Sequence, residues 1–266
     1  MSEKGNQAVK TVSFMMLITL FGKILGMVRE QLLAANYGTD MQAAAFLLAS
    51  RIPRTFFDVI FASAISASFI PVFVEYLQKK GRQEAFSLAN RFITMISTVT
   101  LLMMLLGMAF AKPLTLLIAP GYDVETVTLC VGLLRMLFPT MLFTAVAFSF
   151  VGILQSLEEF NVPAALSVVS NGVLILYYIF FNEKFGILGL TVAFLIGWAM
   201  QAVIQIPSLW KKGYHYHPDF HFKDEGLRKI GKLMLPVMVS TWIQPINFMV
   251  NTRFASQLSG GSAVNG

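Results

Sequence analysis

Long apolar stretches recur along the whole chain, and they decide what it can fold into. A helix needs about 20 largely apolar residues to cross the hydrocarbon core of a bilayer. Seven stretches meet that need: 11–35, 41–77, 88–111, 126–153, 163–182, 186–207 and 230–258. Backbone polar groups within lipid must be satisfied inside the segment, so each stretch reads as a helix. The expected fold is all-α and integral to the membrane, a polytopic bundle of about seven transmembrane helices, six in an N-terminal lobe plus one. The expected organisation is a lobe over 1–208, a cytoplasmic loop over 209–229, and a seventh helix within 230–266 that begins a truncated second lobe. Charged residues make up 13% of the chain, against about 25% in soluble domains, so no separate soluble domain is expected. Lys23 and Arg29 interrupt the first stretch and no small-residue cleavage site follows it, so it reads as a span and not as a signal peptide.

Two of the seven stretches carry internal prolines. Pro53 and Pro71 interrupt the second, which is far longer than a bilayer requires, so a kinked or partly extramembrane segment is expected there. Pro236 and Pro245 interrupt the seventh.

The loops carry the orientation, because cytoplasmic loops are enriched in lysine and arginine. With the N-terminus in the cytoplasm, the inner loops hold Lys4, Lys10, Lys79, Lys80, Arg82, Lys211, Lys212, Lys223, Arg228, Lys229 and Lys232. The outer loops hold Lys112 and Lys184, an asymmetry of eleven to two. The inner loop around Glu158 and Glu159 is an exception without a basic residue. The expected location is a bacterial cytoplasmic membrane, crossed many times.

Six cations lie inside the spans themselves: Lys23, Arg29, Arg51, Arg54, Arg135 and Arg253. Each costs at least about 2.5–3.5 kcal/mol at the bilayer centre, so such residues face a hydrated cavity or a partner. Only Glu30 and Asp58 oppose them at comparable depth. A cationic interior of this kind most simply handles an anion.

Three constellations organise these charges. In the first span Gly22 and Gly26 share a face at helical spacing, and small residues at that spacing admit a close neighbouring helix. Arg29 returns to that stripe seven residues after Gly22, while Lys23 and Glu30 share an adjacent one. The alternative is a packing motif whose charges snorkel to an interface. In the second span Arg51, Arg54 and Asp58 fall on one face, with Arg54 and Asp58 at ion-pair spacing. Arg54 is therefore either structural or ligand-binding. Arg51 has no such near partner, and its planar fork matches phosphate oxygens. In the seventh span Ser240, Gln244, Asn247 and Asn251 form a polar stripe that lines a cavity or bonds to other helices. Arg253 lies on another face near the outer end, where it snorkels or binds ligand.

Other chemistries find no support. The histidines His215, His217 and His221 share one polar loop, and no fourth ligand accompanies them, so the loop reads as solvated and no metal is expected. Cys130 is the single cysteine, which excludes an internal disulfide. There is no phosphate-cradling glycine loop and no nucleophile elbow, so an enzyme is not expected. The net charge of +6 sits at helix flanks and inside spans, which fits a membrane protein and not a nucleic-acid partner. No cofactor is expected.

The segment Gly22-Lys23-Ile24-Leu25-Gly26-Met27-Val28-Arg29-Glu30 resembles the first-helix signature of the MurJ/MviN lipid II flippases. The block from Ala45-Phe46 through Arg51-Ile52-Pro53 to Ser68-Phe69-Ile70-Pro71-Val72-Phe73 is similar to theirs, as is the segment from Pro236 through Gln244, Asn247 and Asn251 to Phe254-Ala255-Ser256. That family belongs to the multidrug/oligosaccharidyl-lipid/polysaccharide exporter superfamily, and the resemblance implies a two-lobed transporter with a cationic central cavity. The implied substrate is the undecaprenyl-diphosphate-linked peptidoglycan precursor, lipid II, moved across the membrane by alternating access. The implied partners are that lipid-linked diphosphate, membrane lipid, and proteins of cell-wall synthesis. The implied substrate-binding residues are Lys23, Arg29, Glu30, Arg51, Arg54, Asn247, Asn251 and Arg253.

The chain departs from the pattern at Ala43-Ala44-Ala45, where an acid is usual, at Phe57-Asp58 in place of paired arginines, and at Ala62-Ser63 in place of an acid-glycine pair. It stops near Gly261-Ser262-Ala263, where the family's eighth helix begins, so a fragment of a longer transporter is expected. A flippase for another lipid-linked glycan, or a non-transporting scaffold of cell-wall synthesis, is the alternative. A drug exporter for organic cations should carry unpaired intramembrane acids, which are not found.

Overall fold

The computed structural model of the protein describes residues 3–38, 40–55 and 63–258, with side chains from residue 12 onward except those of 244 and 255–258. Among the described residues the architecture is all helical. Six helical spans are long and apolar enough to cross a membrane: Val12–Tyr37, Arg82–Ala109, Val124–Ser156, Asn161–Phe180, Asn182–Lys211 and Glu225–Phe254. They coincide with six of the seven expected stretches. The other, 41–77, is described in two helical pieces, one through Thr55 and one from Ser63. Helix α2 (Met41–Pro53) ends on its proline, a π-helical turn covers Ile65–Phe69, and α3 (Ile70–Lys79) starts with Pro71 in its first turn. Pro71 thus lies in a first helical turn, where proline is tolerated.

Helix α1 (Glu3–Tyr37) runs along one side of the bundle and packs on α9 (Leu166–Phe180). Its other face is exposed and apolar, through Met16, Leu17, Leu20, Ile24 and Met27. The bundle is completed by α4 (Arg82–Ala109), α5 (Ala111–Ile118), α6 (Val124–Leu137), α7 (Thr140–Ser156), α8 (Asn161–Ala164), α10 (Asn182–Val203), α11 (Ile206–Lys211), α12 (Glu225–Thr241) and α13 (Ile243–Leu258).

Two apolar cores hold it together. One joins α2, α5 and α6 to α9 and α10 around Phe46, Leu134, Leu137 and Phe194. The other joins the π-helical turn, α3, α4 and α7 around Phe69, Phe73, Phe92 and Ile153. In the second, Phe69 stacks on Phe92 with ring centroids 4.6 Å apart. Gly152 on α7 makes room for it, since a Cβ there would lie 2.9 Å from the Phe69 ring.

Several buried hydroxyls are satisfied within their own helices. Thr100 donates to the carbonyl of Ile96, Thr115 to Ala111, Ser149 to Ala145 and Thr191 to Ile187. Such back-bonding lets a polar side chain sit in an apolar span at little cost.

The connections segregate to two ends. At one, Tyr37 donates to Asn182 at 2.5 Å, and Asn182 donates to Asn36 at 2.9 Å. At the other, Arg82 donates to the Lys212 carbonyl, and the Lys212 ammonium donates to the Leu157 carbonyl at 3.1 Å.

The polar loop after α11 is docked, not free. Tyr214 donates to Asn90 of α4 at 2.7 Å, and Arg91 reaches both Asp219 at 2.9 Å and Asp224 at 2.6 Å. Asp224 also caps α12 by accepting from the amides of Gly226 and Leu227. His221 sits 2.7 Å from Asp219, His215 stacks on Trp210, and among the described residues no group of three metal-type side chains forms.

Candidate functional site

The glycines of α1 set the geometry. A Cβ at Gly22 would lie 2.2 Å from the Ser167 hydroxyl of α9, and one at Gly26 would lie 3.4 Å from the Asn171 amide nitrogen. The two helices therefore touch along this stripe, as small residues at this spacing allow. One helical turn further on, the Arg29 guanidinium projects beside α9. Its Nη1 donates to Asn171 Oδ1 at 3.2 Å and its Nη2 to Glu30 Oε1 at 2.9 Å. The Arg29 side chain is 16% exposed and that of Glu30 is 71% exposed. The arginine is thus mostly buried while its acidic neighbour is mostly exposed.

Two cavities meet at this guanidinium. The larger, about 640 Å³, is lined by Lys23, Arg29 and Arg54 together with Gln155, Gln201, Ser167, Ser170, Asn171 and Trp198. The smaller, about 480 Å³, is lined by Arg29, Glu30, Arg51 and Arg54 with Ser50, Phe46, Tyr178 and Phe194. Arg29 and Arg54 border both, Lys23 only the larger, and Arg51 only the smaller. Four cations are therefore gathered around two cavities that share Arg29 and Arg54 in their walls.

Arg54 is seated on an aromatic stack. Its guanidinium carbon lies 5.3 Å from the centroid of Trp198, whose ring stacks on Phe194 at 4.0 Å. Phe194 meets Phe46 edge-on at 5.9 Å. A ring face attracts a guanidinium without cancelling its charge. The expected pairing of Arg54 with Asp58 falls on a residue outside the described ones, as do the departures at Phe57 and Ala62.

The seventh-span candidates are not brought to these cavities. Asn251 donates to Asn247 at 2.8 Å along α13, and both are exposed. Arg253 donates to the Leu117 carbonyl of α5 at 3.3 Å. The side chain of Gln244 lies outside the described residues, while Ser240 bonds back to the Val237 carbonyl. Arg135 donates to the Met108 carbonyl at 3.2 Å, also away from the cavities.

The sequence did not single out Asn171, Gln155, Gln201 or Trp198. Asn171 carried the clearest signal: an amide between Ser170 and Gly172 in the middle of an apolar span. Gln201 and Gln205 carried a weaker one near the end of the next span, where Gln205, between α10 and α11, donates to the Ala147 carbonyl of α7 at 3.0 Å.

A family model described as lipid II flippase MurJ matches residues 33–265. A probable lipid II flippase MurJ from Buchnera aphidicola subsp. Acyrthosiphon pisum is 32% identical over 250 residues, covering 92% of this chain and 49% of the relative. A lipid II flippase MurJ from Burkholderia cenocepacia is 25% identical over 252 residues, with 92% and 49% covered. Among solved structures, a lipid II flippase MurJ in an inward closed conformation matches with a TM-score of 0.77 at 25% identity, covering 94% of this chain and 52% of that one. An inward-facing multidrug resistance MATE transporter matches with a TM-score of 0.74 at 17% identity, over 91% of this chain and 55% of that one, a likeness of fold alone. The chain spans about half the length of the curated relatives it matches.

Proposed function

Because the chain belongs to the lipid II flippase MurJ family, we propose that its cavities capture an undecaprenyl-diphosphate-linked peptidoglycan precursor for passage across the bacterial cytoplasmic membrane. The single observation that carries this reading is the gathering of Lys23, Arg29, Arg51 and Arg54 around two cavities that share Arg29 and Arg54. A diphosphate bridges Arg29 and Arg54, where the cavities meet, with Lys23 on one side and Arg51 on the other. Attraction between opposite charges is several-fold stronger at the effective dielectric near a protein surface than in bulk water. Guanidinium forks add paired hydrogen bonds to phosphate oxygens. The larger cavity, with Gln155, Gln201 and the serines of α9, offers amides and hydroxyls to the glycan head. The lipid tail stays near the bilayer.

Release matters as much as capture. Glu30 already holds one Arg29 nitrogen, so it competes with phosphate and limits retention. Alternating access then moves the loaded cavity from one side to the other by rocking two halves against each other. The role is transport and not catalysis. Asn247, Asn251 and Arg253 lie outside both cavities and are left out of this capture step. In this reading residues 1–208 form the N-terminal lobe, the N-terminus is cytoplasmic, and 209–229 is a cytoplasmic connection.

The test combines Arg29→Ala with Arg51→Ala in a cell whose own flippase can be depleted. Growth should fail while membrane abundance of the protein stays near normal. Normal growth of that double variant would sink the cationic-capture mechanism.

A further inference from the structure

We infer that Asn171 is the positioning residue that aims Arg29 at the anion, and that this position requires an acceptor without charge. The inference rests on the capture reading above. Arg29 has two hydrogen-bond acceptors, and they differ in kind. Glu30 follows it in sequence, and its side chain is mostly exposed. Asn171 comes from α9, is only 8% exposed, and is itself anchored. Its Nδ2 donates to the Gly22 carbonyl at 3.1 Å.

That anchor fixes the amide's direction. A carbonyl only accepts, so the NH₂ group must face Gly22, and Oδ1 is left for Arg29, which only donates. A single buried amide thus converts the position of the α1 backbone into a position for the guanidinium. The bare faces of Gly22 and Gly26 are what bring α1 within reach of it. The glycine pair therefore serves ligand binding as well as packing.

The choice of amide has a further consequence. A carboxylate in the same place would hold Arg29 equally well but cancel its charge. An amide leaves the charge available to phosphate. It also leaves the remaining N–H groups of the fork to project into the cavities, which Arg29 borders on both sides.

The experiment measures binding of farnesyl diphosphate to the purified protein in lipid nanodiscs, as a double-mutant cycle. Asn171→Leu, equal in heavy-atom count, removes both hydrogen bonds and should weaken binding on the order of tenfold, the size of one hydrogen bond to a charged group. Asn171→Asp keeps an acceptor for Arg29 but adds a charge, and should weaken binding at least as much. Arg29→Ala combined with Asn171→Leu should bind no more weakly than Arg29→Ala alone, because Asn171 acts through Arg29. A role in packing alone predicts losses that multiply, and an aspartate variant that binds as the parent does would show that charge is tolerated here. Either result, or parental affinity for Asn171→Leu, overturns the inference. Where leucine prevents accumulation, Asn171→Ala adds no bulk and runs the same cycle. Parental affinity for Arg29→Ala would instead overturn the capture reading, so the two failures are distinguishable.

Discussion

Lys23 differs from the other cavity cations in how it is held. Arg29 is fixed by Asn171 and Glu30, and Arg54 rests on Trp198. Lys23 is exposed at the wall of the larger cavity, and a compact ammonium on a flexible stem needs no fixed fork partner. Lys23→Arg should therefore support growth in the depletion assay, whereas Lys23→Ala should lower it and Lys23→Glu should abolish it, all at parental membrane abundance. Equal growth of the arginine and glutamate variants would remove Lys23 from the capture step. The four cations could be read from sequence because a charge in an apolar span is expensive and needs a reason. Asn171, Gln155, Gln201 and Trp198 could not be assigned in the same way. A single polar residue in a span is often satisfied by its own helix, as Thr100 and Ser149 are, and only the packing of α1 on α9 shows that Asn171 is not one of these.

Helix α1 tests the packing argument directly, since its two glycines are not equally tight. Gly26 has ordinary contact room for a methyl group, while Gly22 meets the Ser167 side chain at 2.2 Å. Gly26→Ala should leave thermal stability within a degree or two of the parent. Gly22→Leu should cost about 1–3 kcal/mol as an overpacked contact, read as a lowered unfolding midpoint in detergent. Gly22→Ala should fall between, and Ser167→Ala should restore part of its loss, because the nearest obstacle is a hydroxyl. Elsewhere the periodicity located the long helices well. Over 41–77, Pro53 ends α2 and Pro71 lies in the first turn of α3, the interruptions that the sequence marks. Apolar composition measures the environment of a segment, not its continuity. The loop after α11 is a second element with its own test. The backbone N–H of His221, then the His221 side chain and Arg91, hold the Asp219 carboxyl below its usual range. A carboxyl lowered on folding adds stability above its unfolded pKa of about 3.9 and loses it as pH falls through the lower folded value. The loop should thus resist proteolysis unchanged from pH 8 to about 5, and loosen only below the ordinary aspartate range. Arg91→Ala should loosen it at neutral pH. Loosening of the parent loop already between pH 8 and 5 would overturn this account.

For the molecule as a whole, the connections divide between two ends, and charge says which end faces the cytoplasm. The end where Arg82, Lys212 and Leu157 meet also carries Lys79, Lys80, Lys211, Lys223 and Arg228. The end where Tyr37 meets Asn182 carries Lys184, and Lys112 lies in the helix that follows α4. Lysine and arginine are retained on the cytoplasmic side during insertion, so the first end is predicted to be cytoplasmic. The structure adds a reason why this orientation would persist. Arg91 binds Asp219 and Asp224, so the loop that carries the histidines is pinned to α4 and cannot cross alone. Single cysteines placed at His217 and Tyr122 in a Cys130→Ala background separate the alternatives. An impermeant maleimide added to intact cells with a permeabilised outer membrane should leave position 217 unlabelled until the inner membrane is opened. Tyr122 is buried, so its neighbour Gly121 is the better outer reporter and should label at once. Labelling at 217 but not at 121 would invert the topology. The capture step would then begin from the opposite leaflet, even with every cation in the same place.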